Sequence, residues 1–276
     1  MNAEELAARI WPGEKVDLER LGGGITNHNF VARVNGEAYV LRIAGTDTEL
    51  LGIDRTAEHA AAKIAADLGV GPEVVDFVEG SLVTRFVEGG VVPLEELRRP
   101  ERLREAAGLL RRVHEGPDFP AKFDSFRVVE IYRWRAEEHG VRIPPAYDDA
   151  KARADEIEQA LGPRREQPCH NDLLNANFIG SPEGIRIVDW EYAGMGDPFF
   201  DLANFSVNHE LIEQEVETLL AAYFGEVTDE QREHLRAMRF MSDFREAMWG
   251  VVQQGISELD FDFVDYASKH FERALA

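Results

Sequence analysis

The sequence has a single cysteine, Cys169, in 276 residues, so no disulfide can form within the chain and there are too few thiols for a cysteine-based zinc site. Any metal must be held by oxygens or histidines. No apolar run approaches the roughly 20 residues that span a bilayer, and the first residues, MNAEELAARI, carry acids where a secretory leader has bases followed by an apolar stretch. The expected location is the cytoplasm, with no membrane insertion. Positive charge is scarce: 30 Lys and Arg stand against 52 Asp and Glu, a formal net charge of −22. Such a surface repels phosphate backbones and anionic lipid, which removes nucleic acid from the expected partners, and it concentrates cations. Internal repeats and low-complexity tracts are also missing.

What is present falls into two styles of patterning. Lys15 to Leu21, Asn29 to Val34 and Glu37 to Ile43 read as strands, and Asn35-Gly36 between the last two is a strong hairpin signal. Asp54 can cap a helix whose face is Ala57, Ala61, Ile64, Ala65 and Leu68, ended by Gly69 and Pro72. Glu73 to Phe77 and Ser81 to Val87 then read as two further strands. Beyond Gly89 the chain becomes helical, with patterns over Ile131 to Glu138, Asp148 to Leu161, Leu211 to Phe224, Asp229 to Ser257 and Phe263 to Leu275, and another opening at Pro100. One strand-turn-strand island interrupts them, Asn177 to Val188. Glu88-Gly89-Gly90 marks the expected boundary between a sheet-rich unit, 1–88, and a helical one, 89–276. The fold class is therefore α+β.

The chemistry concentrates in CHNDLLNANF and IVDWEYAGMGDPFFDLANF, residues 169 to 205. Phosphoryl transfer needs a carboxylate to orient and deprotonate the attacking hydroxyl, and oxygen ligands to hold magnesium against the phosphates. A loop with Asp172 and Asn177, followed by a tight hairpin leading to Asp189, can bring these groups to one cleft. His170 in the same loop reads more naturally as a hydrogen-bonding brace than as a substrate contact. LGGGITNHNF, with Gly23, Gly24, Thr26 and Asn27, is a glycine-rich turn between strands whose amides can approach phosphates.

These motifs resemble the choline/ethanolamine kinases and the wider aminoglycoside phosphotransferase-like superfamily, over essentially the whole chain. The resemblance implies a bilobal protein-kinase-like fold, with ATP and Mg2+ bound between a small antiparallel sheet and a larger helical lobe. It makes Asp172 the catalytic base, Asn177 and Asp189 the metal ligands, and Glu191 an acid that binds a second metal through water. Asp201 becomes a brace for the catalytic loop. Arg42 stands where protein kinases carry the phosphate-gripping lysine, with Glu58 as its ion-pair partner; Arg55, on the same helical face, reads equally as a phosphate contact or a solvated arginine. Arg85, Phe86 and Val87 match the hinge that meets adenine through its backbone. Near the C-terminus, Trp249, Phe261 and Tyr266 match the family's signature and can surround a quaternary ammonium; read without the resemblance, they are core aromatics. Glu246 and Asn208 depart from the family pattern, where a tryptophan and an acid are frequent.

The implied reaction is transfer from ATP to the hydroxyl of a small cationic alcohol, choline first. A kinase for ethanolamine, thiamine, an aminoglycoside or a sugar stays open, and so does a nucleotide-binding pseudokinase, although the intact Asp172, Asn177 and Asp189 argue against the last.

Overall fold

The computed structural model describes residues 1–22, 27–44 and 51–276. Helix α1 (Ala3–Ile10) precedes strands β1 (Asp17–Leu21), β2 (Asn27–Val34) and β3 (Glu37–Ala44), which are followed by α2 (Arg55–Asp67), β4 (Val74–Val78) and β5 (Ser81–Arg85). The five strands form one antiparallel sheet in the order β1-β2-β3-β5-β4. Asn35 and Gly36 turn the β2–β3 hairpin with φ of 53° and 83°, the left-handed values this turn demands. Along β3, Tyr39, Leu41 and Ile43 are buried against Leu6 and Ala7 of α1. Period-two alternation therefore sends Arg42 to the other face. The Asp54 side chain caps α2 by accepting from the amides of Thr56 and Ala57 at 2.8 and 3.1 Å.

The sheet gives way to a short strand, β6 (Gly90–Val91), and the helices α3 (Leu94–Leu97), α4 (Pro100–His114), α5 (Ser125–Glu138) and α6 (Ala146–Leu161). Next come β7 (Gln167–Cys169), a 3-10 turn at Asn175–Asn177, β8 (Phe178–Ser181), β9 (Gly184–Ile187) and β10 (Gly194–Gly196). Helices α7 (Pro198–Asn208), α8 (Glu213–Phe224), α9 (Asp229–Ile256) and α10 (Phe263–Leu275) complete the larger lobe. No helix among the described residues is long and apolar enough to cross a membrane.

Two features position the site. Helix α9 runs through the core and is buried without a break from Phe240 to Gln253, so the polar Ser242, Asp243, Arg245 and Glu246 within that stretch must find partners inside the protein. The β8–β9 hairpin docks under the sheet lobe: β6 pairs with β8, and the Ile187 amide donates to Val70 O at 2.9 Å. The fold is α+β, a five-stranded sheet lobe followed by a larger helical lobe. Helix α5 begins six residues before the expected start, at an Asp124 cap, and α1 and α7 are helices that the periodicity does not announce.

Candidate active site

The catalytic segment leaves β7 and is fixed by bonds to its own backbone. Asp201, fully buried on α7, accepts from the amides of His170 and Asn171 at 2.8 and 2.7 Å. Asn204, one turn on, accepts from the Leu173 amide at 2.6 Å. His170 is spent on the loop as well: its Nε2 lies 3.0 Å from Val188 O, and its Nδ1 accepts from the Asp172 amide at 3.2 Å. Burial lowers its pKa, which keeps it the neutral tautomer these two bonds require. Asn171 and Asp189 both take left-handed φ, 66° and 71°, an arrangement that costs energy outside glycine and clusters at working sites.

Asp172 is buried, and Arg245 of α9 favours its anion against that burial. The Arg245 guanidinium is itself fully enclosed, with Nη1 3.1 Å from Asp172 Oδ1 and 2.6 Å from Glu246 Oε1, while its carbon lies 4.5 Å from the centre of the Tyr192 ring. One cation therefore serves two carboxylates. Burial raises the Asp172 carboxyl to about 8 against the pull of Arg245, and the acids Glu246, Asp189 and Glu191 add to the rise. The second Glu246 oxygen accepts from the Tyr266 hydroxyl at 2.7 Å. Tyr266 packs edge to face on Trp249, with ring centres 5.7 Å apart, and on Phe261 at 5.9 Å. A continuous set of contacts thus links the aromatic cluster to Asp172.

On the opposite wall, Asn177 donates its amide to Asp172 O at 2.8 Å, which leaves Oδ1 without a hydrogen bond to any described residue. Arg42 reaches across from β3 to Asp189 Oδ1 at 2.5 Å, Glu191 Oε2 at 2.8 Å and Glu58 Oε1 at 2.7 Å. Burial opposes its charge, yet Asp189, Glu58 and Glu191 outweigh that and raise its pKa. Asn177 Oδ1 and the remaining Asp189 oxygen are hard donors of the kind magnesium takes, so the residues present fit that ion. Glu191 Oε2 is also 3.3 Å from Arg55, so Glu191 is tied to two arginines. Another buried grouping, His114, Cys169 and Asp201, has ligand atoms within 4.8 Å of one another. Hydrogen bonds account for it: His114 meets Asp201 at 3.0 Å and the Tyr223 hydroxyl at 2.7 Å, and burial keeps the Cys169 thiol protonated.

A buried acid held by backbone braces beside an asparagine, a second acid and a strand arginine is the arrangement of a phosphotransferase, and residues 17–240 match the phosphotransferase enzyme family, APH. The chain belongs to that family. It is similar to a choline/ethanolamine kinase family protein from Mesorhizobium loti, 33% identical with a TM-score of 0.83, over 100% of this chain and 94% of the other. It is similar to the choline kinase LicA of Streptococcus pneumoniae, 26% identical with a TM-score of 0.85, over 99% and 95% of the two chains. Human ethanolamine kinase 2 is 26% identical over 299 residues, which span 95% of this chain and 76% of that protein. Within its family the chain sits with the choline/ethanolamine kinases, and it is an ATP-dependent small-molecule kinase.

The kinase brings Asp172, Asn177, Asp189, Arg42, Glu58 and Glu191 to one cleft. The expected hinge residues divide. The Arg85 side chain turns outward to Glu37 at 2.9 Å and Glu73 at 3.4 Å, and the Phe86 amide is committed to Ala38 O at 3.0 Å. Val87 forms no backbone hydrogen bond with a described residue, so its peptide groups are the ones left for a base edge. Gly23, Gly24 and Thr26 lie outside the described residues, as does the side chain of Asn27, whose backbone opens β2. Trp249 is buried and Tyr266 half-buried, whereas Phe261 is about half exposed, at 49%. Sequence reasoning missed Arg245, Tyr192 and Asn204. A basic residue inside a long apolar helical pattern was the available signal for Arg245, since a buried arginine must have an anionic partner.

Proposed function

We propose that the kinase transfers the γ-phosphoryl group of Mg-ATP to the hydroxyl of a small cationic amino alcohol, choline in preference to ethanolamine. In this reading residues 1–88 grip the nucleotide and residues 89–276 carry the catalytic loop and the acceptor pocket. Asn177 and Asp189 would hold the magnesium, which would supply positive charge against that developing on transfer. Asp172 aligns the acceptor hydroxyl and takes its proton as the oxygen bonds to phosphorus and ADP departs. Arg42 supplies positive charge beside the phosphates. Arg245 keeps Asp172 in its working orientation, and His170, Asp201 and Asn204 fix the loop from behind.

The observation that carries the choice of acceptor is the engagement of Glu246. Both of its oxygens are already used, by Arg245 at 2.6 Å and by Tyr266 at 2.7 Å. A primary ammonium needs free oxygen acceptors to replace its lost water, whereas a trimethylammonium needs only aromatic faces and negative potential. Trp249, Phe261 and Tyr266 offer the faces, and the surplus carboxylate around Arg245 offers the potential. The test is kcat/KM for choline, ethanolamine and thiamine, measured side by side. Choline should rank first, and Trp249→Ala should raise KM for choline by a factor corresponding to about 0.5–2 kcal/mol, with Mg-ATP affinity spared. A preference for ethanolamine would overturn this assignment of the pocket.

A further inference from the structure

A cavity of about 540 Å³ lies where the first half of α9 meets the end of α10, lined by four arginines, Arg153, Arg236, Arg239 and Arg273, against two acids, Glu210 and Asp243. That is a surplus of two positive charges, or one if the carboxylate of Ala276 is counted, on a chain whose net charge is −22. Two of the arginines are fastened: Arg273 Nε donates to Asp243 at 2.7 Å, and Arg153 donates to Ala274 O at 3.2 Å. His270 also meets Asp243 Oδ1, at 2.9 Å, the same oxygen that Arg273 uses, and the Asp243 charge favours that of Arg239. Arg236 and Arg239 form no hydrogen bond or ion pair with any described residue. Arg239 is half-buried, and burial lowers its pKa, which means that its charge lacks the solvation it would have in water.

A guanidinium cannot shed its proton at ordinary pH, so an under-solvated one is stabilised by an added anion. Two forked donors one turn apart on α9, with Arg153 and Arg273 beside them, suit an oxyanion with several acceptor oxygens, because each arginine can take two of them. The volume lies in the range of small-molecule sites and exceeds what a lone monoatomic ion would fill. The site is separate from the catalytic centre in that none of its lining residues hydrogen-bonds to Asp172, Asn177 or Asp189.

We propose that this cavity binds a small soluble phosphate-bearing anion of the diphosphate or phosphate-ester class, with Arg236 and Arg239 as its principal ligands. The experiment is calorimetric titration of the whole protein with inorganic pyrophosphate while the catalytic cleft is saturated with Mg-ADP. The expected result is one saturable equivalent whose affinity falls as salt rises. The double variant Arg236→Ala/Arg239→Ala should lose affinity by at least about tenfold, from two charge-assisted contacts. Its turnover without pyrophosphate should be unchanged. Arg239→Lys should keep part of the binding, because the charge remains while the fork is lost. No saturable binding, or equal binding by the double variant, would overturn the site. Tighter binding of citrate than of pyrophosphate would overturn the phosphate class.

Discussion

Asp172 shows how many groups hold one buried carboxylate in place. Its amide is tied to His170, its carbonyl to Asn177 and its Oδ1 to Arg245. Asp172→Ala should leave the fold intact and lower kcat by about 10²–10⁴-fold, the usual worth of a positioned acid or base. A variant with more than about a tenth of wild-type kcat would remove Asp172 from the mechanism. Arg245→Met leaves two buried carboxylates without their cation, a loss of about 3–5 kcal/mol where buried pairs are broken. Both stability and kcat should fall, and denaturant unfolding as stable as wild type would show that Asp172 and Glu246 do not depend on it. His209 gives a pH signature. Burial lowers its pKa to about 4, whereas an unfolded histidine titrates near about 6.5. Between those values the unfolded chain binds the extra proton, so this contribution is complete above the window and lost as pH falls through it, reaching about 3 kcal/mol. Thermal melts of wild type and His209→Phe between pH 7 and 4 should converge as pH drops; parallel curves would place the acid sensitivity elsewhere.

At the scale of elements, the junction between the lobes is the most constrained backbone. Gly89 has φ of 142°, and a Cβ there would sit 1.8 Å from Gly180 O on the β8–β9 hairpin. Gly89→Ala must push the hinge off that hairpin, so it should lower stability by about 1–3 kcal/mol and raise KM for ATP. Unchanged nucleotide KM and unchanged melting would show that the hinge does not depend on this approach. The same elements show what a sequence can disclose. The β2–β3 hairpin is legible because Asn35-Gly36 states its turn locally, and Asp172, Asn177 and Asp189 are legible because they share one short stretch of chain. Helix α7 is not, because its residues are buried on nearly every side and carry no amphipathic period; only the Asp197-Pro198 start marks it. The partner of Arg245 is hidden for a related reason: Asp172 lies 73 residues away, and the contact exists only once α9 has packed against the loop.

Across the whole molecule, charge and architecture act together. A chain of net −22 presents a negative field to its surroundings, which favours the approach of cations and disfavours that of free polyanions. Arg42 spans the two lobes, since its partners are Glu58 on α2 and Asp189 and Glu191 beyond β9. The most direct measurement is ADP release from Mg-ATP by wild type and Asp172→Ala, with choline, with ethanolamine and with no acceptor. The account predicts release that requires an amino alcohol, is greatest with choline, and is lost in Asp172→Ala while that variant still binds Mg-ATP. Release that is indifferent to the amino alcohol, or that survives in Asp172→Ala, would contradict it.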